Sequence, residues 1–398
     1  MEPNLRANIV KLYLIKTSKW FMLFMPIIVL FYQDNGLKMQ DIFVLQAIYS
    51  IVIVILEIPS GYLADVLGRK TTLIIGTILG FCGFVIYSLS YDFWGFLTAE
   101  ITMGIGTSLV SGADSAMLYD TLKAGNQKEK YLKFEGKMVS IGNAAEAVAG
   151  ILGGLLAEIS LRTPFYAQTV VAFIGIPAAL MLIEPIRQEK IKKMDFKDIL
   201  QIVRYALHEH THLKWNIIYS SVIGASTLTM AWFVQPYFNY VDLELSLFGV
   251  FWTLLNLSVA ITSFVAYKVE YRLGQVKMIV FITLLLPLFY FILSQIDVIW
   301  GIAVLFLFYL MRGLATPVLK DYINRLTESS TRATVLSVRN FMIRLLFAGI
   351  GPFLGWYTDH FSLSQALALA SIAFFVLAVV AGGFFLKTRD YRHQKMHQ

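Results

Sequence analysis

The chain has 398 residues, of which 57% are hydrophobic and only 15% are charged, against about 25% charged residues in an ordinary soluble domain. The mean hydropathy is +0.66. This composition excludes a soluble enzyme, a disordered chain and a nucleic-acid-binding protein, because most of the chain is too apolar to face water. The formal charge of +7 is instead explained by the cytoplasmic excess of Lys and Arg in membrane proteins.

Apolar runs separated by polar breaks predict twelve membrane-spanning helices, because one span needs about 20 mostly apolar residues. Helices are required because lipid offers backbone N–H and C=O groups no hydrogen-bonding partner. The predicted fold class is therefore an all-α membrane protein. The predicted spans cover residues 12–32, 42–63, 73–90, 93–118, 138–159, 165–183, 213–238, 247–267, 276–294, 298–319, 335–357 and 365–386.

The distribution of Lys and Arg predicts which ends of the spans face the cytoplasm. With the N-terminus inside, the outer loops hold only Lys38 and Arg162 of the 33 Lys and Arg residues. Lys16, Lys19, Arg312 and Arg344 lie deeper within predicted spans, and the others lie in inner loops or at inner helix ends. The positive-inside rule therefore predicts a multi-pass protein of the cytoplasmic (inner) membrane, with both termini in the cytoplasm. Lys16 and Lys19 are expected to snorkel to the inner surface.

A long polar break divides the chain into two sets of six spans. The predicted domains are an N-terminal six-helix bundle over 1–184, a cytoplasmic linker over 185–212 and a C-terminal six-helix bundle over 213–398. Within the linker, residues 195–207 (DFKDILQIVRYAL) carry apolar side chains at helical spacing. This pattern favours an amphipathic helix on the inner membrane surface, with a soluble linker helix as the alternative.

A loop motif follows the second predicted span, where residues 61–70 read GYLADVLGRK. It resembles the G-x-L-a-D-r-x-G-r-k motif that the major facilitator superfamily carries between its second and third helices. The motif lies in the corresponding loop of a chain with twelve predicted spans and a central linker. The resemblance implies a major facilitator fold, in which two pseudo-symmetric six-helix bundles rock around a central cavity.

The motif also predicts a conformational gate at the inner face. Gly61 and Gly68 permit a close helix approach and a tight turn. Asp65 is placed to interact with the N-terminal dipole of a neighbouring helix, which in the family is the eleventh helix. Arg69 is expected to pair with Asp120 at the inner end of span four. The alternative is an ordinary basic loop.

The two halves resemble each other at an offset of about 202 residues, as parallel transporter repeats do. Residues 149–154 (AGILGG) align with 351–356 (GPFLGW), and Tyr119 aligns with Tyr322. The counterpart of the loop motif, residues 271–275 (YRLGQ), has lost the acid. Any charge latch is therefore predicted to be asymmetric between the halves.

Two further motifs of the family are altered. Proton-coupled drug antiporters of the family carry R-x-x-x-G in the fourth helix, and here Glu100 replaces the arginine. They also carry G-P-x-x-G-G in the fifth helix. Ala149 and Gly150 replace the first two residues, whereas the second half keeps Gly351 and Pro352. Both changes count against drug/proton antiport, although glycine still permits close helix packing.

Five ionisable residues lie at predicted membrane depth: Glu100, Asp114, Glu146, Arg312 and Arg344. Such groups are costly in lipid and are functional hypotheses by default. Glu146, Arg312 and Arg344 share a depth on the order of 10–14 Å from the inner ends of their spans. They predict an ion pair across the bundles, or an anion site formed by the arginines with Glu146 as the proton-coupling group. A static buried pair remains the alternative.

Family geometry places spans one, four, seven and ten around the cavity. Aromatic side chains with a few polar groups suit an amphipathic organic solute. The predicted binding or coupling residues besides the five charges are Asn143, Trp232, Gln235, Tyr309 and Asn340, with Asn256 and Tyr237 as further groups at this depth. The alternative is that they pack helices or join the interfacial aromatic belt, which is favoured for Tyr237, Phe238 and Tyr240.

Signals for cofactors and metals are weak. His208, His210 and His212 are spaced so that the first and last share one helix face, yet no acidic or cysteine cluster completes a metal site. A solvated linker is the favoured interpretation. No phosphate-binding loop, catalytic triad or zinc-protease motif is visible. The sequence therefore predicts no enzyme, no cofactor and no metal.

The leading functional hypothesis is a secondary active transporter that moves a small organic solute by alternating access. Proton-coupled efflux of an amphipathic compound comes first, and another coupling ion is possible. Uptake of an anionic organic solute bound by Arg312 and Arg344 is the second hypothesis. A non-transport membrane scaffold or an intramembrane enzyme is the third. The expected partners are the solute, the coupling ion and membrane lipid, with no nucleic acid, and the chain is expected to be a monomer.

Overall fold

The structure, a computed structural model, describes residues 3–185, 201, 203–328 and 331–388. These residues form helices, turns and loops without a strand, as the predicted all-α class requires. Short turns of 3-10 helix and π-helix cover Lys128–Lys130 and Tyr205–Glu209. The helices are α1 (Pro3–Trp20), α2 (Ile28–Asp34), α3 (Met39–Val66), α4 (Arg69–Leu89), α5 (Phe93–Ala124), α6 (Tyr131–Ile159), α7 (Thr163–Leu180), α8 (Thr211–Tyr240), α9 (Leu245–Gln295), α10 (Gly301–Asn324), α11 (Arg332–His360) and α12 (Leu363–Lys387).

Side chains cap several of these helices where their first N–H groups have no partner within the helix. Asp92 Oδ1 accepts a hydrogen bond from Gly95 N at the start of α5, at 2.8 Å. Ser362 Oγ accepts from Gln365 N at the start of α12, at 3.1 Å. Asp, Ser and other short polar residues favour this position because they replace the missing acceptors. The polar breaks between apolar runs therefore fix where these helices begin.

The first predicted span, 12–32, is divided into α1 and α2 by a non-helical segment that contains Pro26. The backbone N–H of Leu23 in this segment donates to Gln168 Oε1 of α7 at 3.0 Å. Gln168 is fully buried. A break at membrane depth is tolerated where protein groups satisfy the freed backbone, so this glutamine allows the interruption.

The eighth and ninth predicted spans lie within the range α9, which covers two helices separated by a kink. Gly274 interrupts it with φ 74° and ψ 164°, which turns the chain between two helical parts. Ten described helices are long and apolar enough to cross a membrane by length and composition. With α9 counted as two spans and α1 with α2 as one, the helices account for the twelve predicted spans.

The chain separates into two compact units. Unit 1 comprises Met1–Ile191 with Glu244–Thr253, and unit 2 comprises Lys192–Leu243 with Leu254–Gln398. The predicted domain limits at 184 and 213 stay predictions. In unit 1, α4 packs along α5 and α7, while α3 packs against α5 and α1 against α7. In unit 2, α8 packs against α10, α11 and α12.

Each unit has its own apolar core. In unit 1, buried residues of α1, α4, α5 and α6 meet, among them Leu12, Leu73 and Met138. In unit 2, Leu213 and Ile217 of α8 pack with Val335 of α11 and with the last turn of the linker. Most of the predicted amphipathic helix, 195–207, lies outside the described residues, and its placement on the membrane surface stays a prediction.

Candidate functional site

The loop between α3 and α4 is a tight turn at Gly68, which has φ 93° and ψ 149°. Only glycine adopts this backbone region without strain. Directly after it, Arg69 Nε donates to Asp120 Oδ2 of α5 at 2.6 Å. A terminal nitrogen of Arg69 lies 3.5 Å from Asp65 Oδ1. The structure therefore brings together the predicted Asp65, Arg69 and Asp120, and their role as a gate stays a prediction.

The predicted close helix approach at Gly61 is wrong for this structure. A Cβ atom built on Gly61 would meet no atom within 4 Å. The physical reason is that α3 leaves open space at this residue. The turn at Gly68, by contrast, is formed as predicted.

Glu184, which the sequence analysis did not select, binds the backbone of the same turn. Glu184 accepts hydrogen bonds from the backbone N–H groups of Arg69 and Lys70, at 3.0 and 2.6 Å. An acid at a helix N-terminus satisfies free donors and interacts well with the helix dipole. No sequence signal links Glu184 to α4, because 115 residues separate it from Arg69.

The corresponding turn in unit 2 lacks an acid within residues 271–275, as the sequence predicts, but an acid lies directly before it. Glu270, one residue before the stretch 271–275, pairs with Arg325 at 3.6 Å. Arg325 also pairs with Asp321 at 2.6 Å. Burial lowers the pKa of Arg325, but the carboxylates of Asp321 and Glu270 outweigh this and raise it overall. Both halves therefore have two acids around one arginine, with the arginine supplied by a different segment in each.

Glu100 of α5 lies in a buried network of neutral hydrogen-bond donors. Glu100 is 3% exposed, and its Oε1 accepts from the hydroxyls of Tyr32 and Tyr87, at 2.8 and 2.5 Å. Gln46 Nε2 donates to the same oxygen. The two tyrosine hydroxyls also lie 2.5 Å apart. Four helices thus supply one polar cluster, and only Glu100 itself could be selected from the sequence.

The buried Asp114, also on α5, forms an ion pair with Lys16 of α1 at 3.2 Å. Lys19 donates to the backbone oxygen of Thr107 at 3.3 Å. The expectation that these lysines snorkel to the inner surface is therefore wrong. The physical reason is that α1 packs against α5, so both amines find protein acceptors inside unit 1.

Glu146 lies near the middle of α6 and is partly exposed, whereas Asn143 is exposed. Within unit 1, α6 approaches the start of α9 closely. A Cβ atom on Gly154 would lie 2.9 Å from Gly249 Cα, a distance that real Cβ atoms do not adopt. The glycine run after Glu146 permits close helix packing, as predicted.

In unit 2, the guanidinium of Arg312 lies over the ring of Tyr309, 5.4 Å from its centroid. Such a cation–π contact attracts the cation to the face of the ring. Arg312 and Arg344 are both partly buried.

Of the other predicted residues, Gln235 and Tyr309 are buried, Trp232 is partly buried and Asn340 is exposed. The depth, pairing and binding roles predicted for these residues stay predictions.

The histidines near the linker have local roles. His210 Nδ1 accepts from Leu213 N at 3.0 Å and caps α8. His212 Nδ1 lies 3.3 Å from Thr388 Oγ1. Within the described part of the chain, no three His, Cys, Asp or Glu side chains are grouped to hold a metal ion.

Comparison with known proteins settles the family. A sequence profile described as Major Facilitator Superfamily matches residues 18–352. The chain belongs to the Major Facilitator Superfamily. It is a multi-pass membrane transporter of this superfamily and not an enzyme.

The chain is similar in sequence to two curated proteins. The quinolone resistance protein NorA of Staphylococcus aureus is 26% identical over 161 residues, which cover 40% of each chain. The match thus spans two fifths of the length of NorA. The uncharacterized MFS-type transporter MJ1560 of Methanocaldococcus jannaschii is 24% identical over 268 residues, covering 64% of this chain and 66% of the relative.

Solved structures show the same fold at low sequence identity. The nucleoside transporter NupG has a TM-score of 0.78 at 13% identity, covering 98% of this chain and 100% of the other. A bacterial homolog of the human lysosomal transporter Spinster, in an inward-facing and unoccupied conformation, has a TM-score of 0.74 at 15% identity, with coverage of 98% and 97%. These similarities establish the major facilitator fold.

Proposed function

We propose that the chain exports an amphipathic organic compound across the cytoplasmic membrane in exchange for protons. The observation that carries this proposal is the similarity to NorA, which is named for quinolone resistance. Quinolones are small amphipathic compounds, and export is the simplest way for a membrane transporter to give resistance. The uneven distribution of Lys and Arg supports cytoplasmic termini. We further propose that the chain works as a monomer by alternating access.

The proposed coupling group is Glu146, because it lies near the middle of α6 beside a closely packed glycine run. A partly buried carboxyl group changes its proton affinity when neighbouring helices move. Proton binding and the movement of the bundles then influence each other's equilibrium. Asp114 is a weaker candidate because Lys16 already compensates its charge.

Glu100 is the second candidate for proton binding. Its Oε1 accepts hydrogen bonds from Tyr32, Tyr87 and Gln46 inside a buried cluster. These donors come from three other helices, so a movement of the helices would change the hydrogen bonds to the carboxyl group. Such a change alters the proton affinity of a buried acid, which suits a role in proton coupling.

The test uses the full chain in proteoliposomes with an imposed pH gradient and a fluorescent quinolone as the solute. Wild-type protein is expected to drive quinolone accumulation against its gradient. Glu146→Gln keeps the size and hydrogen bonding of the side chain but removes titration. Proton-driven transport is therefore expected to fall at least tenfold, while solute exchange without a pH gradient survives.

Glu158→Gln is the matched control, because Glu158 is an exposed acid at the end of the same helix. It is expected to transport like the wild type. Unchanged proton-driven transport by Glu146→Gln would remove Glu146 as the coupling group, and Glu100→Gln would then be measured in the same way. Absence of quinolone transport by the wild type would argue against drug export.

Uptake of an anionic organic solute is the second candidate function. It is favoured by Arg312, which is partly buried and lies over the ring of Tyr309, at a depth that the sequence predicts to be within the membrane. A guanidinium in this setting suits a carboxylate or phosphate. In the same proteoliposomes, a panel of organic acids tests this candidate. Uptake that is lost in both Arg312→Gln and Arg344→Gln would favour it over quinolone export.

A further inference from the structure

A buried arginine of unit 2 contacts only neutral partners among the residues that the structure describes. Arg339, on α11, is 4% exposed. Its Nε donates to Ser220 Oγ of α8 at 2.5 Å, and its Nη1 donates to Asn340 Oδ1 at 3.4 Å. Neither acceptor carries a charge. A guanidinium left uncompensated in a membrane bundle is costly, so the arrangement calls for an anion.

A second cation, Lys320, adds to the uncompensated positive charge around Arg339. The charge of Lys320 on α10 interacts with that of Arg339, and between two cations this interaction is repulsive. The helices α8, α10 and α11 all pack against one another, so both cations belong to one junction of three helices. No described carboxylate forms an ion pair with either of them. A bound anion would relieve both the repulsion and the cost of burial.

A buried amide at the same junction is an independent sign of a missing ligand. Asn216 of α8 is fully buried, and neither its Oδ1 nor its Nδ2 has a hydrogen-bond partner. Asn216 and Ser220 are neighbours on one face of α8, about one helical turn apart. That face meets α11, because Gly224 lies against Ile343. Unsatisfied buried amides are rare in native proteins, and an unoccupied ligand site is one explanation.

Two residues that interact with the Arg339 guanidinium are themselves exposed. Asn340 accepts a hydrogen bond from its Nη1, and Lys320 interacts with its charge. An oxyanion bound beside them would meet a guanidinium, an ammonium group and amide N–H donors. Guanidinium groups bind carboxylate and phosphate oxygens through charge-assisted hydrogen bonds.

We propose that Arg339, Lys320, Ser220 and Asn216 form a binding site for an oxyanion, such as a phosphate or carboxylate group. The site is separate from the predicted residues Arg312 and Arg344. It does not depend on the direction of transport or on the coupling ion. The oxyanion belongs either to a free solute or to a lipid headgroup, and the experiment below distinguishes these sources.

Sequence patterns did not reveal this site. Arg339 lies only four residues inside the predicted span 335–357, where a basic residue normally reaches the membrane surface. Its burial follows from the packing of α11 against α8, which the sequence does not predict.

The test measures the melting midpoint of the purified full chain in detergent. Inorganic phosphate and acetate are titrated against chloride at constant ionic strength. At least one oxyanion is expected to raise the wild-type midpoint in a saturable way, and Arg339→Gln is expected to abolish this response. Arg332→Gln is the matched control, because Arg332 is an exposed arginine at the start of the same helix. It is expected to respond like the wild type.

A second variant keeps the test decisive if Arg339→Gln does not fold. Lys320 is exposed, so Lys320→Gln is expected to fold and to weaken the apparent oxyanion affinity about fivefold or more. A wild type that responds to no oxyanion more than to chloride would overturn the proposal. So would a folded Arg339→Gln with an unchanged response, or Lys320→Gln with wild-type affinity.

Nanodiscs separate the two sources of the oxyanion. If a lipid headgroup occupies the site, phosphatidylglycerol raises the midpoint of the wild type but not of Arg339→Gln, relative to phosphatidylcholine. Added phosphate then has no further effect in phosphatidylglycerol. If a free solute occupies the site, phosphate raises the midpoint equally in both lipids. A wild type that responds to neither lipid nor phosphate would contradict both versions.

Discussion

The membrane-depth acids of unit 1 are compensated in two chemically different ways. Asp114 is paired with the ammonium group of Lys16, whereas Glu100 accepts hydrogen bonds from Tyr32, Tyr87 and Gln46. The ion pair of Asp114 joins α5 to α1, whereas the donors to Glu100 join α5 to α2, α3 and α4. The two acids therefore hold the helices of unit 1 together in different ways, and proton binding by Glu100 stays a proposal.

Tyr87→Phe tests how much the Glu100 cluster stabilises the fold. The substitution keeps the aromatic ring but removes one donor to a buried carboxyl group. The free energy of unfolding is expected to fall by about 1.5–3 kcal/mol, as for other hydrogen bonds to charged groups. The measurement is denaturant unfolding in detergent. Tyr166→Phe is the control, because Tyr166 is exposed and its substitution should change stability little. Equal stability of the two variants would show that the cluster contributes nothing.

The sequence predicts a residue's partner where a motif fixes the pair. It does not predict the partner where only helix packing brings two residues together. The pairing of Arg69 with Asp120 follows from the loop motif, and the structure forms it. The pairing of Lys16 with Asp114 joins residues 98 positions apart. It depends on how α1 packs against α5, and a single sequence does not encode that contact in any local pattern.

At the scale of elements, the two halves share a turn built on one glycine. Gly68 precedes α4 and Gly274 lies within α9, and both have positive φ with extended ψ. Their neighbourhoods differ. A Cβ on Gly68 would lie 3.5 Å from the carboxyl group of Glu184, whereas a Cβ on Gly274 would meet no atom within 4 Å. Both turns therefore require glycine for its backbone conformation. A lack of space for a side chain is not a requirement that they share.

Gly68→Ala and Gly274→Ala are both expected to destabilise the fold by about 1–3 kcal/mol, because each forces a side chain into a backbone region that suits only glycine. The melting midpoint in detergent measures the effect. Gly80→Ala is the matched control in α4, since its Cβ would meet open space and helical alanine is favoured over glycine. The midpoint of Gly80→Ala should stay level or rise. A neutral result for Gly274→Ala would mean that its turn relaxes without cost.

The twelve spans were predictable because hydrophobic length alone defines a membrane crossing. One feature of the helices was not predictable. The interruption between α1 and α2 falls inside an apolar run, and it is tolerated because the buried Gln168 accepts a hydrogen bond from Leu23 N. The turn at Gly274, by contrast, falls in the polar break that separates the eighth and ninth predicted spans.

At the scale of the whole molecule, the two halves carry corresponding charge clusters with different burial. Arg69 and Asp120 have side chains 9% and 13% exposed. Arg325 and Asp321 have side chains 58% and 50% exposed. Exposed ion pairs contribute little because water screens them, whereas buried charge-assisted hydrogen bonds contribute more. The two clusters therefore differ in burial, and an asymmetric latch stays a prediction.

This difference predicts that Asp120→Asn impairs transport and Asp321→Asn does not. An amide at position 120 still accepts a hydrogen bond from Arg69 but no longer offers a charge. The loss is about 1–2 kcal/mol. If the cluster stabilises the state closed at the inner face, as the loop motif predicts, this loss shifts the conformational equilibrium about tenfold. Initial transport rates in proteoliposomes are then expected to fall by a similar factor.

Asp321→Asn serves as the matched comparison, since it removes the same charge from an exposed pair and should leave the rate within about twofold of the wild type. Both variants must elute as a single species in detergent, so that a rate change reflects transport and not unfolding. Equal slowing by the two variants would assign the effect to net charge at the membrane surface. If Asp120→Asn transports at the wild-type rate, the buried cluster is not a gate and only packs helices together. The reason is that a gate must respond when its main ion pair is weakened.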